Sequence, residues 1–461
     1  MAIIPYDLVV IGGGPAGYVG AIRAAHLGKK VAVVEKERAG GTCLNWGCIP
    51  TKSLLRNAEI FSLMKLHADD FGLSFSELDY DWTKVIGRSR KVADKLAGGI
   101  EFLLKKNKID YILGEATIPK SGQVHVQKLD STEVQLAAPK ILICTGVTTR
   151  EMPGFPMNGT SVIGSRQAMA LPTQPKEIII IGAGAIGIEF AYFFNAFGTK
   201  VTVIEMMPHI LPVEDTEVSV ALEKVLTKKG INFLTSTQVE KIEASSERVS
   251  ITISGKKNET LSADVALVAI GVTSLLPGGM TFKLDPKGYL AVNDNYETNV
   301  PGVYGAGDII GPPWLAHVAS WEAIQAVEGI FGKRKPQRRR VFPGCTYCQP
   351  QVASVGLTER AAKEKGMNVK VGKFPFQASG KAQAMGETEG FVKLLFNEPH
   401  GEIVGAHIIG SEATEMIAEL GLAITLEATY EDIASTIHAH PTLSEAVMEA
   451  TEATHGNAIH I

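Results

Sequence analysis

The chain carries the same glycine-rich unit twice. The stretch "YDLVVIGGGPAGYVGAIRAAHLGKKVAVVEKE", which begins at Tyr6, matches "KEIIIIGAGAIGIEFAYFFNAFGTKVTVIEMM", which begins at Lys176, at a constant offset of 170 residues. In each copy an apolar run predicts a buried strand, GxGxxG follows, and a helical pattern leads into a second strand that ends in an acidic residue. This order predicts two dinucleotide-binding βαβ units and therefore an α/β fold.

Each residue type in the repeat has a physical reason. The first glycine permits a tight turn, the second lets the backbone approach a pyrophosphate, and the third lets the helix pack closely on the sheet. The helix N-terminus supplies N–H groups, and the terminal carboxylate accepts hydrogen bonds from ribose hydroxyls. Glu205 favours NAD over NADP, because a carboxylate repels a 2′-phosphate and no arginine follows it in "EMMPH". The candidate residues are Gly12, Gly14, Gly17 and Glu35 in the first copy and Gly182, Gly184, Gly187 and Glu205 in the second.

Composition and charge narrow the class of protein. A chain of 461 residues with 45% hydrophobic and 20% charged residues is typical of a globular protein of several domains. A net charge of -4 gives no long-range attraction to nucleic acid or anionic lipid, so we expect a small-molecule partner. Five cysteines are too few for a secreted disulfide scaffold, and the N-terminus has no basic n-region. We therefore expect a cytoplasmic protein without a signal peptide.

One apolar stretch has the length of a membrane span. Residues 178–198 contain Glu189 and Asn195, and glycines interrupt the run. These features predict a buried strand, a tight turn and a helix, and we expect no membrane association.

Two cysteines lie five residues apart in "GGTCLNWGCIPTK", residues 40–52. On a regular helix Cys43 and Cys48 would have Cα atoms roughly 8 to 9 Å apart. A disulfide requires less than about 7 Å. A bridge therefore needs a break in the helix, which Gly47 permits, and Pro50 favours a helix start just after it. Cys48 would then lie near a helix N-terminus, where a thiolate is favoured.

Three interpretations of this pair remain. A redox disulfide is favoured, because the cysteines are flanked by glycines beside a dinucleotide fold. A zinc site needs two more ligands, and the other close pair, Cys345 and Cys348, is nearly 300 residues away. Inert buried thiols are the third alternative. Cys345 and Cys348 have CxxC spacing and are themselves open to three interpretations, namely packing, a second redox pair or a metal site.

Five motifs together resemble one family over almost the whole chain. They are "VVIGGGPAGY", "GGTCLNWGCIPTK", "IIIGAGAIGIEFA", "VYGAGDI" and "HAHPTLSEA". In identity and order they resemble the pyridine nucleotide-disulfide oxidoreductases. The resemblance implies two Rossmann-like dinucleotide-binding domains and a C-terminal α+β interface domain. Its expected boundaries are 1–149 for the first part of the FAD domain with the redox cysteines, 150–272 for the NAD domain, 273–342 for a central domain completing the FAD site, and 343–461 for the interface domain.

The resemblance also implies a role for each matching residue. Cys43 would exchange with substrate, Cys48 would be the sulfur on the flavin side, and Lys52 would place its ammonium near the flavin and pair with Glu189. His440 would be the general base, oriented by Glu445. The implied FAD residues are Gly12, Gly14, Gly17, Glu35, Thr42, Lys52, Thr145, Gly146, Asp308 and Ala316. The implied NAD residues are Gly182, Gly184, Gly187, Glu205 and Gly271.

The expected reaction follows from the same resemblance. The motifs fit best the family members that oxidise dihydrolipoamide with FAD and NAD. The tail "EATHGNAIHI" lacks the cysteine pair of mercuric reductases and large thioredoxin reductases. The resemblance implies a homodimer with shared active sites, and a lipoyl-bearing acyltransferase or the glycine cleavage lipoyl protein as partner. The alternatives are a related disulfide reductase with another substrate and a flavoprotein serving only as a scaffold or binding subunit.

Overall fold

A computed structural model describes residues 3–151, 154–155, 157–245, 248–338 and 341–461. The chain forms two compact units. Unit one comprises Met1–Leu54, Thr83–Arg150 and Gly271–Arg339. Unit two comprises Leu55–Trp82, Glu151–Ile270 and Arg340–Ile461. Each unit is therefore assembled from three separate segments of the chain.

Strands and helices alternate around the two glycine loops, and runs of consecutive strands occur elsewhere. The described strands are β1 (Ile3–Pro5), β2 (Leu8–Ile11), β3 (Val31–Glu35), β4 (Asp110–Lys120), β5 (Gln123–Lys128), β6 (Glu133–Ala137), β7 (Lys140–Ile143), β8 (Val147–Thr149), β9 (Val162–Ile163), β10 (Glu177–Ile181), β11 (Lys200–Ile204), β12 (Asn232–Leu234), β13 (Thr237–Ala244), β14 (Val249–Gly255), β15 (Glu259–Ala263), β16 (Val265–Val268), β17 (Val272–Ser274), β18 (Gly278–Gly279), β19 (Val303–Gly305), β20 (Gly344–Thr346), β21 (Gln351–Gly356), β22 (Val369–Pro375), β23 (Phe391–Asn397) and β24 (Ile403–Gly410). The described α-helices are α1 (Pro15–His26), α2 (Gly41–Trp46), α3 (Cys48–His67), α4 (Trp82–Lys106), α5 (Ser165–Ala168), α6 (Ala185–Ala196), α7 (Thr216–Lys228), α8 (Ala316–Ile330), α9 (Glu359–Glu364), α10 (Gly380–Met385), α11 (Ala413–Thr425), α12 (Tyr430–Ala434) and α13 (Glu445–Ala453). Short 3-10 helices cover Asp69–Phe71, Asp308–Ile310 and Phe376–Ala378.

Unit one is built on a sheet with the order β1–β6–β5–β4–β3–β2–β7–β19, to which β18 adds beside β4. The part running from β4 through β3, β2 and β7 to β19 is parallel. Successive residues of β2 enter different cores, with Leu8 and Val10 on one face and Val9 and Ile11 on the other. A strand buried on both faces must be a continuous apolar run, and the sequence "LVVI" is one.

Unit two repeats this parallel arrangement in the order β12–β11–β10–β16–β9. An antiparallel sheet, β13–β14–β15, follows in the same segment of chain. The C-terminal segment forms a second antiparallel sheet, β20–β21–β24–β23–β22, against which α11 and α13 pack. Two doubly wound parallel sheets and a C-terminal α+β part confirm the predicted fold class.

The apolar stretch 178–198 is divided as predicted. Its first residues lie in β10, and α6 begins at Ala185 after the glycine turn. Within the described ranges, the structure has no helix that is both long enough and apolar enough to cross a bilayer. The sequence pattern is therefore that of a buried strand and helix.

The strand order places a crevice in each parallel sheet. In unit one the chain runs outward in opposite directions from the neighbouring strands β2 and β7, and ligands bind at such switch points. In unit two the strands β11 and β12, which follow β10, lie on one side of it, and β16 and β9 lie on the other side. Just beyond the strands, the N–H of Cys144 donates to the carbonyl of Ile11 at 2.7 Å, and the N–H of Ala269 donates to the carbonyl of Ile181 at 2.8 Å. The two glycine loops thus begin at corresponding crevices.

Candidate active site

Cys43 and Cys48 lie on either side of a break between two helices. Helix α2 ends at Trp46, Gly47 has φ −150° and ψ −117°, and α3 begins at Cys48. A Cβ at position 47 would lie 3.0 Å from the carbonyl oxygen of Thr42, which explains the glycine. The predicted break is therefore confirmed, but α3 begins at Cys48 and not after Pro50 as expected. Proline is tolerated there because the first helical turn does not need its N–H.

The two sulfurs are close enough to interact. The side chains of Cys43 and Cys48 share a hydrogen bond. This bond, and burial after it, raise the pKa of the Cys43 thiol, whereas the Lys52 ammonium opposes the shift. Cys48 is the first residue of α3, where the positive end of the helix dipole favours a thiolate. These effects hold the proton on Cys43, and the role of Cys48 as the sulfur on the flavin side stays a prediction.

The first glycine loop lies in unit one and has the backbone that a dinucleotide requires. Gly12 has φ 104°, and a Cβ at Gly17 would overlap the carbonyl oxygen of Gly12. Gly14 caps α1, so the first turn of that helix opens toward the crevice. Glu35 accepts a hydrogen bond from the N–H of Gly13 at 2.6 Å. The predicted residues of this loop are thus assembled at one end of β2.

Other candidate FAD residues also belong to unit one. Thr145 and Gly146 follow β7, where the Thr145 hydroxyl donates to the carbonyl of Leu275 and Gly146 has φ 70°. Asp308 begins a 3-10 helix after β19, and burial raises the pKa of its carboxyl group to about 6. Thr42 lies in α2, and Ala316 is the first residue of α8. The structure therefore gathers glycine turns and helix N-termini in the unit where FAD is expected.

Sequence reasoning missed Glu322 in this unit. Its carboxylate accepts a hydrogen bond from the N–H of Gly307 at 3.1 Å, directly before Asp308. Burial raises the pKa of Glu322 to about 7. A glutamate within the mixed helix "AHVASWEAIQAVEGI" has no local motif to mark it.

The second glycine loop has the same backbone conformation and the same close contacts as the first. Gly182 has φ 101°, and a Cβ at Gly187 would overlap the carbonyl oxygen of Gly182. Glu205 is 8% exposed, and its carboxylate accepts from the N–H of Ala183 at 2.7 Å and from that of Met207 at 2.8 Å. Gly184 caps α6 as Gly14 caps α1. Each loop therefore presents one fixed carboxylate at its crevice.

Two further candidates have identified backbone partners. Gly271 has φ 110°, and its carbonyl accepts from the N–H of Arg150 at 3.0 Å. Glu189 lies in α6, is 4% exposed, and accepts a hydrogen bond from the N–H of Tyr347 at 3.0 Å. Lys52 is in α3, one helical turn after Cys48. The pairing of Lys52 with Glu189 stays a prediction.

His440 and Glu445, the predicted base and its orienting carboxylate, are in contact in unit two. The Nδ1 atom of His440 lies 2.9 Å from Oε1 of Glu445, and the His440 side chain is 80% exposed. The other carboxylate oxygen accepts from the N–H of Thr442 at 2.8 Å. Burial alone would raise the pKa of Glu445, but the hydrogen bonds from Thr442 and His440 outweigh it and lower this pKa. With Nδ1 donating to the carboxylate, Nε2 is the atom that takes a proton.

The neighbouring His438 has separate partners. Its Nε2 lies 2.7 Å from Glu419, and its Nδ1 donates to the carbonyl of Thr436 at 3.0 Å. Its side chain is 5% exposed. The two histidines therefore have different environments. His438 is buried and bonded to Glu419 and Thr436, whereas the side chain of His440 is exposed.

The second cysteine pair gives no sign of a metal site. Cys345 is half-buried in β20, and Cys348 is buried with its thiol donating to the carbonyl of Pro350 at 3.2 Å. Across the residues that the structure describes, no cluster of three or more His, Cys, Asp or Glu side chains could hold a metal ion. Packing is the interpretation of Cys348 that these contacts favour.

Comparison with known proteins gives consistent matches over the whole chain. Residues 6–323 match the family described as pyridine nucleotide-disulphide oxidoreductase, and residues 342–451 match its dimerisation domain. Dihydrolipoyl dehydrogenase of Zymomonas mobilis subsp. mobilis is 45% identical and covers 99% of both chains. Dihydrolipoyl dehydrogenase of Bacillus subtilis is also 45% identical, again over 99% of both chains. The crystal structure of LpdA from Mycobacterium tuberculosis superposes with a TM-score of 0.90 at 23% identity, covering 98% of this chain and 99% of that one.

Proposed function

The chain belongs to the pyridine nucleotide-disulphide oxidoreductase family, and on that premise we propose that it is a dihydrolipoyl dehydrogenase. It oxidises dihydrolipoamide to lipoamide and transfers the electrons through FAD to NAD. The observation that carries the proposal is the hydrogen-bonded Cys43–Cys48 pair, held across a helix break in the same unit as the first dinucleotide loop. Two side chains that share a hydrogen bond are near neighbours, as a pair that alternates between dithiol and disulfide must be.

The chemistry of the protein groups follows from their positions. His440 removes a proton from one thiol of the substrate, because Glu445 orients its ring. The resulting thiolate attacks Cys43, which breaks the Cys43–Cys48 disulfide, forms a mixed disulfide and releases Cys48 as a thiolate. The second substrate thiol then displaces Cys43, so that lipoamide leaves as a cyclic disulfide and both cysteines are reduced. FAD, held by the glycine loop of unit one, would supply the acceptor for this electron pair, and NAD, held by that of unit two, would be the final hydride acceptor.

The residues present fit both cofactors. In unit one, Gly12, Gly14 and Gly17 leave space for a pyrophosphate at the start of α1, and Glu35 lies at the edge of the crevice for a ribose. In unit two, Gly182, Gly184 and Gly187 form the corresponding loop for NAD, and Glu205 takes the place of Glu35. Gly271, Thr145, Gly146, Asp308 and Ala316 complete the proposed binding sets. Lys52, paired with Glu189, would place a positive charge that stabilises the reduced flavin.

The assembly is the second part of the proposal. The C-terminal segment is the family's dimerisation domain, which supports a homodimer. In that dimer His440 of each chain serves the cysteine pair of the other chain. We assign residues 1–149 and 273–342 to FAD binding, 150–272 to NAD binding and 343–461 to the interface. The proposed partner is the lipoyl-bearing acyltransferase of a 2-oxoacid dehydrogenase complex or the lipoyl protein of glycine cleavage.

The deciding experiment is a turnover assay on the FAD-loaded protein. Dihydrolipoamide and NAD are supplied together, and NADH formation is followed by its absorbance. Rapid NADH formation, much slower with NADP, supports both the substrate and the cofactor. No turnover, with the flavin still reduced by NADH, would instead indicate a different disulfide substrate. A protein that does neither would fit a scaffold role.

A further inference from the structure

The segment between the two cysteines is held by an arginine from a distant helix. Arg90 lies in α4, and its Nη1 donates to the carbonyl oxygen of Asn45 at 2.7 Å. Its guanidinium carbon also lies 4.8 Å from the centre of the Trp46 ring. Arg90 thus contacts two successive residues of the connector between Cys43 and Cys48, one through a hydrogen bond and one through a cation–π contact. A planar guanidinium suits both contacts, because its face packs on an aromatic ring while an N–H in its plane donates.

The connector is also fixed from its other side. Asn45 is 2% exposed, and its Nδ2 donates to the carbonyls of Ala39 at 2.9 Å and Gly41 at 3.0 Å. The carbonyl of Gly47 accepts from both the N–H of Thr51, at 3.1 Å, and its hydroxyl, at 2.7 Å. Each residue from Asn45 to Gly47 therefore has a contact that limits its movement.

The location of the arginine contact explains its effect. Helix α2 ends at Trp46, so the last carbonyls of this helix lack the N–H partners that a longer helix would give them. A cation at a helix C-terminus also interacts favourably with the helix dipole. The angle between α2 and α3 sets the separation of the two sulfurs. The Arg90 contacts hold Asn45 and Trp46, the last residues of α2, directly before the break at Gly47.

We propose that Arg90 is a positioning residue of the redox pair, which holds Cys43 and Cys48 at bridging separation through Asn45 and Trp46. The inference rests on the proposed function, because it assumes that these cysteines alternate between dithiol and disulfide. A fixed connector raises the effective concentration of one thiol at the other. Arg90 therefore favours the disulfide and speeds its formation by acting through the connector.

A matched control lies on the same helix. Arg88 donates to the carbonyl of Ser53 at 3.0 Å and to its hydroxyl at 2.8 Å. Ser53 is in α3 beyond Cys48, so this contact lies outside the connector. Removing Arg88 deletes an arginine contact made by the same helix, α4, but that contact is to α3, and Asn45 and Trp46 stay held.

The experiment measures the dithiol–disulfide equilibrium of the FAD-loaded protein in buffers of reduced and oxidised dithiothreitol. Thiols are trapped by alkylation, and the peptide containing both cysteines is quantified by mass spectrometry. Arg90→Ala should shift the equilibrium about tenfold toward the dithiol, because a hydrogen bond from a charged group is lost. Arg90→Lys should shift it by about threefold, since the charge is kept but the stacking is not. Arg88→Ala should remain near the wild-type value.

The outcomes separate the inference from the function on which it rests. An unchanged equilibrium in Arg90→Ala, or an equal shift in Arg88→Ala, would overturn the positioning role while the wild-type titration still supports the redox pair. A wild-type protein whose Cys43 and Cys48 do not exchange with dithiothreitol at all would overturn both. Retained flavin absorbance in every variant shows that the FAD unit is intact.

Discussion

Glu205 accepts a hydrogen bond from the backbone N–H of Ala183 at 2.7 Å, as Glu35 does from that of Gly13 at 2.6 Å. The two pairs are separated by the same 170 residues as the sequence repeat. Each carboxylate is thereby fixed at the edge of a glycine loop with its charge facing the crevice. The repeat therefore includes corresponding hydrogen bonds as well as corresponding residues. The position of Glu205 in it predicts that this carboxylate selects NAD over NADP.

Glu205→Gln should weaken this selection. The amide keeps the size of the side chain but removes the charge that repels a 2′-phosphate and binds ribose hydroxyls strongly. We expect the ratio of kcat/KM for NAD to that for NADP to fall by about tenfold or more. Steady-state kinetics with the two cofactors measure this ratio. Glu35→Gln is the control: it should loosen FAD and leave the ratio unchanged. An unchanged ratio in Glu205→Gln would assign selectivity to other residues.

The glycine loops were predictable because their requirements are local. A tight turn, a close approach and a helix start each depend on residues adjacent in sequence, and Gly12 and Gly182 meet them with φ 104° and 101°. The break at Gly47 was predictable for the same reason. The fold class followed from these units, since a βαβ repeat determines a parallel sheet.

Other features depend on contacts that no local pattern shows. Lys393 is a charged residue in the otherwise apolar strand "FVKLLFN". Its side chain is nevertheless 1% exposed and forms ion pairs with three carboxylates. Asp215, 178 residues away, is one of them. The role of Arg90 depends likewise on how α4 packs beside the cysteine segment. Such residues become visible only when distant segments are brought together.

Cys48→Ser should separate the two halves of the reaction. Without the second sulfur no disulfide can form, so dihydrolipoamide oxidation should be abolished. Reduction of a dye by NADH should persist, because it requires the cofactor sites but not the disulfide. Both activities are measured on the same FAD-loaded preparation. Equal loss of both would count against the assigned roles.

Cys345→Ser is the matched control for that experiment. Cys345 lies half-buried in β20, at a position that the proposed mechanism does not use. Its substitution should leave dithiol oxidation at the wild-type rate. A large loss in Cys345→Ser would revive the interpretation of Cys345 and Cys348 as a second redox pair.

His440→Ala should slow dithiol oxidation by about a hundredfold at neutral pH, as removal of a general base does elsewhere. The substrate thiol would then have to lose its proton to water. Glu445→Gln should cause a smaller loss, because the amide can still accept from the His440 ring but carries no charge. NADH-driven dye reduction is the internal control and should not change in either variant. A fully active His440→Ala protein would remove this histidine from the mechanism.

Glu214 should make the stability of unit two depend on pH. Burial raises the pKa of its carboxyl group to about 7, the hydrogen bond with Ser354 opposes this shift, and the charge of Asp215 adds to it. The unfolded chain has the usual value of about 4.3. As pH rises from about 4 to 7, the unfolded state loses this proton before the folded state does, so the free energy of unfolding falls.

Glu214→Gln should remove this fall, because an amide does not ionise. Between about pH 5 and pH 8 the wild-type protein should lose about 2 kcal/mol more stability than the variant does. Melting temperatures of the FAD-loaded protein at the two pH values measure the difference. Glu217 provides a control of opposite sign, since burial is outweighed there by hydrogen bonds from Lys373 and Lys393 that lower its pKa. Glu217→Gln should therefore destabilise the protein at about pH 8. A Glu214→Gln variant whose stability falls with pH as much as that of the wild type would rule out the raised pKa of Glu214.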